Sequence, residues 1–318
     1  MMKKFLLLLL LTAAGIFLYL RQAVFAPGTL AEVTTVVVPK GAGLKVVAEK
    51  LRQARVIDKP WLFGLAARMQ GLDRRLKAGE YQFEPGVSLD EVIGKLVRGD
   101  IFYRRITIPE GLTTGQILYL LASTPELEGE VSMEVKEGEL LPETYSYVRG
   151  DSKDSIIRQA KEAMNRVIEQ SWALKDDGLP LKNKREMLIL ASIIEKETAV
   201  ASERPLVAAV FINRLRLGMR LQTDPSVIYA ITEGEFELKR PLTRKDLAME
   251  SPYNTYKNYG LPPTPICNPG KEAIWAAAHP ADHDYLYFVA DGNGAHRFAK
   301  SLNDHNKNVR EWKKQRSR

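Results

Sequence analysis

Met187-Leu188-Ile189-Leu190-Ala191-Ser192-Ile193-Ile194-Glu195-Lys196-Glu197-Thr198 is an apolar helical pattern that closes on two acids. At roughly 100° per residue, Glu197 follows Ile194 by three places, Ile193 by four and Leu190 by seven, so it falls in the sector those residues turn toward a core. Glu195 points elsewhere. A carboxyl group held against apolar walls loses hydration of its charged form, so the Glu197 pKa is expected to rise and make it a proton donor near neutral pH. The competing reading is a helix glutamate paired with an arginine. Asn183 with Glu186 supplies a capping signature where this helix should start. Ser202 is expected to cap the next helix, with Pro205 in its first turn and Gly218 at its end.

Working outward, 318 residues with 45% hydrophobic content suit two globular domains. The net charge of +7 fits anionic partners, yet acids and bases are interspersed along most of the chain, which argues against nucleic acid. Only Arg310 to Arg318 is a concentrated basic run, read as a solvated helix end. The single cysteine, Cys267, rules out an internal disulfide and a Cys-rich zinc site. His279, His283, His296 and His305 lie late in the chain, and Pro280 interrupts any two-ligand helical face for the first pair, so no metal and no cofactor are expected.

The N-terminus carries Lys3 and Lys4 ahead of an uncharged run from Phe5 to Leu20, which suits a signal peptide or a membrane anchor. Val24-Phe25-Ala26 could be a cleavage site, but Pro27 directly after it would hinder the peptidase, so retention is expected. No cysteine is available there for lipidation. Lys3 and Lys4 favour the cytoplasmic side, which puts the bulk of the chain outside the cytoplasmic membrane.

Three segments share a strand, a Pro/Gly turn and a helix: Val36 to Leu51, Tyr81 to Leu96 and Ile106 to Leu121. Gly41, Gly86 and Gly111 align, as do Val47, Val92 and Ile117, with Leu51, Leu96 and Leu121 four residues later, so each helix presents one apolar stripe. Ser88 with Glu91, and Thr113 in the third copy, are N-cap signals. Patterning weakens between Ser123 and Lys153, where acids collect from Glu126 to Glu139 and a domain division is expected. Beyond the long helices, Leu221-Gln222-Thr223-Asp224-Pro225, Tyr253-Asn254-Thr255-Tyr256 and Gly260-Leu261-Pro262-Pro263 mix hydrogen-bonding and aromatic groups, as sugar sites do; well-satisfied turns are the alternative. Tyr285 to Phe298, with its Asp291-Gly292-Asn293-Gly294 turn, reads as a hairpin of the scaffold from which His296 could reach a cleft.

Glycoside cleavage usually places two carboxyl groups across the bond. Glu195 and Glu197 cannot be that pair, because residues two apart on a helix diverge by about 200°. A one-acid mechanism is needed, or a partner such as Asp224.

Glu195-Lys196-Glu197-Thr198-Ala199-Val200-Ala201-Ser202-Glu203-Arg204, Asn213-Arg214-Leu215 and the three loops above, taken in this order, resemble the MltG (YceG-like) endolytic murein transglycosylases over nearly the whole chain. The resemblance implies an α+β fold with an N-terminal transmembrane helix (1–27), a small LysM-like α+β module (28–125), a connecting segment (126–160) and a mixed α+β catalytic domain (161–318) carrying its catalytic glutamate on a helix. It implies cleavage of nascent peptidoglycan between N-acetylmuramic acid and N-acetylglucosamine with a 1,6-anhydromuramyl end, at the inner membrane, on its periplasmic side. The second acid of the family's Glu-Lys-Glu-Thr motif is catalytic, which here is Glu197. Gln222, Thr223, Asp224, Tyr253, Asn254, Thr255 and Tyr256 are the candidate sugar-binding residues. Glycan strands and the cytoplasmic membrane are the implied partners, with peptidoglycan synthases as candidate protein partners and nucleic acid excluded. Thr264 stands where relatives often have glycine, which puts the shape of that turn in question. The alternatives are a non-catalytic, membrane-anchored wall-binding scaffold and a muramidase that uses water.

Overall fold

The computed structural model describes residues 2–292 and 294–316. The chain forms two compact units, residues 1–104 with 146–150, and 105–145 with 151–318. The third strand–turn–helix copy goes with the later residues.

In the first unit, α1 (Met2–Phe25) is the long apolar helix, followed by β1 (Thr34–Val38), α2 (Leu44–Gln53), α3 (Pro60–Met69), β2 (Gly79–Phe83) and α4 (Leu89–Arg98). β1 and β2 pair antiparallel, Thr34 opposite Phe83 and Val38 opposite Gly79. Alternation turns Val36 and Val38 inward, where they meet Tyr81, Phe83 and the helix stripes of Val47, Leu51, Val92 and Leu96. The repeat is visible as geometry: Gly41, Gly86 and Gly111 all turn with φ between 72° and 75°, a left-handed conformation that favours glycine. Ser88 and Glu91 close a complete capping box on α4. The buried Glu80 carboxylate is held by Arg104 at 2.9 Å and by Arg149 at 3.4 Å, and these partners keep its pKa low against the opposing effect of burial.

β3 (Arg104–Thr107) pairs with a later strand, β4 (Thr144–Tyr147), and the unit division falls inside both. The second unit continues with α5 (Thr114–Ala122), α6 (Lys153–Ala173), α7 (Lys184–Glu197), α8 (Arg204–Arg216), α9 (Asp224–Thr232), α10 (Arg244–Leu247), α11 (Lys271–Ala278), β5 (Tyr287–Ala290), β6 (His296–Ala299) and α12 (Leu302–Arg316). Helix α5 has its own capping box from Thr113 and Gln116. β5 and β6 form the expected hairpin, Tyr287 opposite Ala299 and Ala290 opposite His296; Asn293 of its turn lies outside the described residues, as do Ser317 and Arg318 of the basic tail.

Helix α7 is the hub of this unit. It packs against α11, α8, α6 and α9, and every residue from Met187 to Ile194 is buried. The helix therefore has no solvent face over this stretch, unlike the one-sided stripe inferred from its periodicity. Asn183 caps its start by accepting from the Glu186 N–H, while the Glu186 side chain turns back to the Lys182 N–H and leaves the box half formed. The cap expected at Ser202 is absent. Ser202 lies in a 3₁₀ turn (Ala201–Glu203), and α8 begins behind Glu203 with Pro205 in its first turn and no side-chain cap.

Asn268, fully buried, ties three segments of the second unit together. Its Nδ2 donates to Leu112 O, Thr114 Oγ1 and Glu137 Oε1, and its Oδ1 accepts from the Leu140 N–H at 2.9 Å. Glu137 is itself a buried acid, its pKa raised by burial against the bonds from Thr114 and Tyr229. Each buried polar group stranded by a lost partner costs about 1–3 kcal/mol. Asn268→Ala should therefore lower unfolding free energy by more than about 3 kcal/mol in chemical denaturation; a loss under about 1 kcal/mol would mean that the network is not structural.

Candidate active site

The two acids that end α7 have different surroundings. Both Glu195 oxygens are engaged, Oε1 by Arg204 at 3.2 Å and Oε2 by the Gly270 N–H at 2.8 Å, and the side chain is only 5% exposed. Burial pushes its pKa up while the Gly270 N–H and Arg204 hold it back. Arg204 also bonds Glu110 at 3.0 Å, so this cluster fixes the strand–turn segment 110–111 to the end of α7. The arginine-paired reading thus fits Glu195.

Glu197 instead lines a cleft of about 350 Å³ with Arg214, Leu221, Gln222, Asp224, Tyr256, Tyr287, Phe288, Leu302 and His305. Its pKa is pushed up to about 7, first by burial, with the nearby Asp224 charge adding and Thr223, His296 and Arg214 opposing. The helix C-terminus contributes in the same direction, since the last carbonyls of α7 disfavour a negative charge there. The Thr223 hydroxyl is buried without a hydrogen bond of regular geometry, although it is the neighbour that most opposes the rise.

The two polar loops close on each other at one wall of this cleft. Gln222 and Thr223 donate their N–H groups to Thr255 O and Thr255 Oγ1, and Ser226 Oγ meets Thr255 Oγ1 at 2.8 Å. Gln222 holds φ at 51°, unusual for a residue with a side chain. Asn254 spends its amide on Leu247 O and Met249 O and accepts from the Tyr256 N–H. Asn254 and Thr255 are fully or nearly fully buried, so they shape the loop while Gln222, Asp224 and Tyr256 face the cleft. Tyr256 donates its hydroxyl to Asp224 Oδ1 at 2.6 Å. Tyr253 is not among the cleft-lining residues; its ring lies tilted at 55° against Tyr229 with centroids 4.9 Å apart, and its hydroxyl bonds Thr264 Oγ1 at 2.7 Å. Thr264 thus has a defined partner in the turn it enters.

Several cleft residues were not selected from sequence. Arg214 is buried at the end of α8, donating Nε to Leu286 O at 2.7 Å and Nη1 to Leu221 O at 2.6 Å, with its guanidinium 5.2 Å from the Tyr287 ring. The Asn213-Arg214-Leu215 triplet was the available signal, without a role attached. Tyr287 and Phe288 come from the hairpin, and Leu302 and His305 from the polar α12, whose approach no local pattern announces. His305 Nδ1 is buried and unpartnered, and burial lowers the ring's pKa. His296, with Glu203, sits behind Glu197: Glu203 accepts from the His296 N–H and ring Nδ1, each at 2.7 Å, and from Thr198 Oγ1 at 3.2 Å. Burial opposes ionisation of Glu203, but the His296 bonds more than offset it and its pKa lies low. Among the described residues no group of three or more His, Cys, Asp or Glu side chains converges as a metal cage.

The YceG-like family profile matches residues 36–311. A Bacillus subtilis protein named endolytic murein transglycosylase is 34% identical, covering 93% of this chain and 90% of that protein. A Streptococcus pneumoniae protein of the same name is 29% identical over 96% of this chain and 63% of its own length. A crystal structure of a yceG-like protein from Listeria monocytogenes aligns with a TM-score of 0.55 at 33% identity, covering 87% of this chain and 98% of that one. Fold and comparisons define a mixed α+β protein. The chain belongs to the YceG-like family.

A carboxyl whose folded-state pKa is about 7 binds its proton more tightly than the unfolded chain does, near the ordinary value of about 4.3. The contribution of this group to stability is therefore full below pH about 4 and is lost as pH rises toward and through 7. Glu197→Gln removes this penalty. The variant should gain about 3–4 kcal/mol over the parent at pH 8 and little at pH 4, read from denaturation midpoints at both pH values; equal gains would place the carboxyl in solvent.

Proposed function

We propose that this chain is an endolytic peptidoglycan lytic transglycosylase, with Glu197 as its general acid and then its base. The observation that carries the reading is the contrast at the end of α7. Glu195 is locked by Arg204 and Gly270, whereas Glu197 faces a substrate-sized cleft with a pKa pushed up to about 7. The names of the relatives agree with this chemistry.

In the proposed reaction, protonated Glu197 gives its proton to the glycosidic oxygen between N-acetylmuramic acid and N-acetylglucosamine as that bond breaks. Positive charge builds at the muramyl C1, where the Asp224 carboxylate on the cleft wall is suitably signed to stabilise it. The Glu197 carboxylate then takes the proton of the muramyl C6 hydroxyl as its oxygen bonds to C1, leaving a 1,6-anhydro end and restoring the acid. No water is consumed, and intramolecular attack supplies a high effective molarity. Gln222, Asp224 and Tyr256 would contact sugar, while Thr223, Tyr253, Asn254 and Thr255 would hold the loops that present them.

The strand–helix–helix–strand order of β1, α2, α3 and β2 supports reading this part as a LysM-like glycan-binding module. Helix α1, with its apolar span from Lys4 to Phe25, supports a single-pass anchor with Lys3 and Lys4 inside and the chain after α1 outside the cytoplasmic membrane, near newly made strands. Peptidoglycan synthases are the protein partners this location suggests.

Purified glycan strands treated with the protein should yield anhydro ends by mass spectrometry. Reducing ends would indicate a hydrolase in which Asp224 directs water, and no cleavage would indicate a wall-binding scaffold. Glu197→Gln should lose at least about a hundredfold in rate with its fold intact, whereas a fully active variant would remove Glu197 from the chemistry. The parent's rate should fall as pH rises through about 7, as the proton donor is lost.

A further inference from the structure

Helix α3 has two apolar faces. Leu62, Phe63, Ala66 and Ala67 enter the first unit's core, but Trp61, Leu65 and Met69, spaced four apart on one stripe, are 58%, 37% and 66% exposed. Isolated exposed apolar residues are ordinary; a stripe next to a membrane helix is a different matter. This stripe borders α1, whose Leu20, Ala23 and Val24 pack into the same core. Between the two helices lies an open notch of about 330 Å³ walled by Phe17, Leu20, Phe25, Leu62, Leu65 and Met69.

The length of α1 indicates where this notch sits. The uncharged run from Phe5 to Leu20 spans about 24 Å at 1.5 Å per residue, so a hydrocarbon layer of ~30 Å takes in the later turns of the apolar span that ends at Phe25. To span the layer, hydrocarbon must reach the turns around Arg21 to Phe25, which is the stretch α3 flanks. The residues at this level are those found at membrane boundaries. Lys59 donates to the Tyr19 hydroxyl at 3.3 Å and lies 5.9 Å from its ring centre, and Trp61, Arg21 and Arg68 are exposed around it. Long basic side chains there keep their charge in the headgroup layer while their stems lie in apolar surroundings.

We propose that α3 lies in the headgroup–acyl boundary of the bilayer that α1 crosses, with its Trp61–Leu65–Met69 stripe in lipid and an acyl chain seated in the notch beside Phe17 and Phe25. This rests on the anchor reading of α1. Helix α3 flanks the last turns of that span, so the first unit is held to the membrane at two points and its freedom to tilt away is restricted.

The test uses the full chain in phosphatidylcholine vesicles, with Trp172, Trp275 and Trp312 replaced by Phe so that Trp61 alone emits. Flotation in alkaline buffer reads the anchor, and lipids brominated at shallow or deep acyl positions read Trp61. The expected result is a floating protein whose emission is blue-shifted and mostly lost to shallow bromines. A floating protein whose emission the bromines do not quench overturns the proposal and leaves the anchor standing: water-like emission means that α3 is exposed to solvent, and blue-shifted emission that a second copy covers it. A protein that fails to float overturns both. A second arm keeps the native tryptophans and places a nitroxide on Met69→Cys, Cys267 being buried. Collisions with oxygen should exceed those with a water-soluble nickel complex, and the reverse order overturns the proposal.

Discussion

A helix surrounded by protein on all sides can carry a charge only at its ends, and the second unit depends on how α7 meets that constraint. From Met187 to Ile194 there is no access to water, so polar groups must be satisfied internally: Ser192 donates to Ile189 O at 2.7 Å and accepts from the Ile266 N–H at 3.0 Å. At the C-terminus two acids emerge two residues apart. One is neutralised by Arg204 and a backbone N–H, which fixes the rotation of the helix end. The other is then forced toward the cleft, deprived of hydration and left without a cation in regular contact. The locked acid orients the one that faces the cleft.

Beyond α7, the same division between holding and exposing recurs. The 222–226 and 253–256 loops spend Asn254, Thr255 and Ser226 on one another, and this leaves Asp224 and Tyr256 coupled on the cleft wall. Arg214 spends its guanidinium on carbonyls of the hairpin start and of Leu221, so its charge reaches Glu197 only through space, where it opposes the rise in the pKa of that acid. His296 is held from behind by Glu203. Geometry at this site is determined mainly by hydrogen bonds between segments far apart in the chain.

That dependence explains what could be read from residues alone. Helix phase placed Glu197 correctly relative to Leu190, Ile193 and Ile194, because periodicity is local; it could not show that the opposite face would also be covered, so the burial and pairing of Glu195 went unseen. Aligned glycines and apolar stripes made the strand–turn–helix copies legible, but not that the third would join a different unit, since that is decided by partners such as Asn268, more than a hundred residues away. The capping expectation held at Ser88 and Thr113, where turn and helix are adjacent, and failed at Ser202, where a 3₁₀ turn intervenes. His305 and Leu302 lie on a polar helix whose local pattern carries no trace of the cleft, and Thr264 meets Tyr253 across a gap in sequence that no local pattern bridges.

One topological detail has an evolutionary meaning. The chain leaves the first unit after Arg104, returns for residues 146–150, where Arg149 reaches Glu80, and leaves again. A gene fragment ending at the first exit would encode a unit lacking one of the two cations around a buried acid, and a fragment starting there would carry a foreign strand segment. Neither half can be exchanged by a single recombination event. The lineage is therefore expected to diversify by insertions at loops and by additions to its ends, with the two units inherited together.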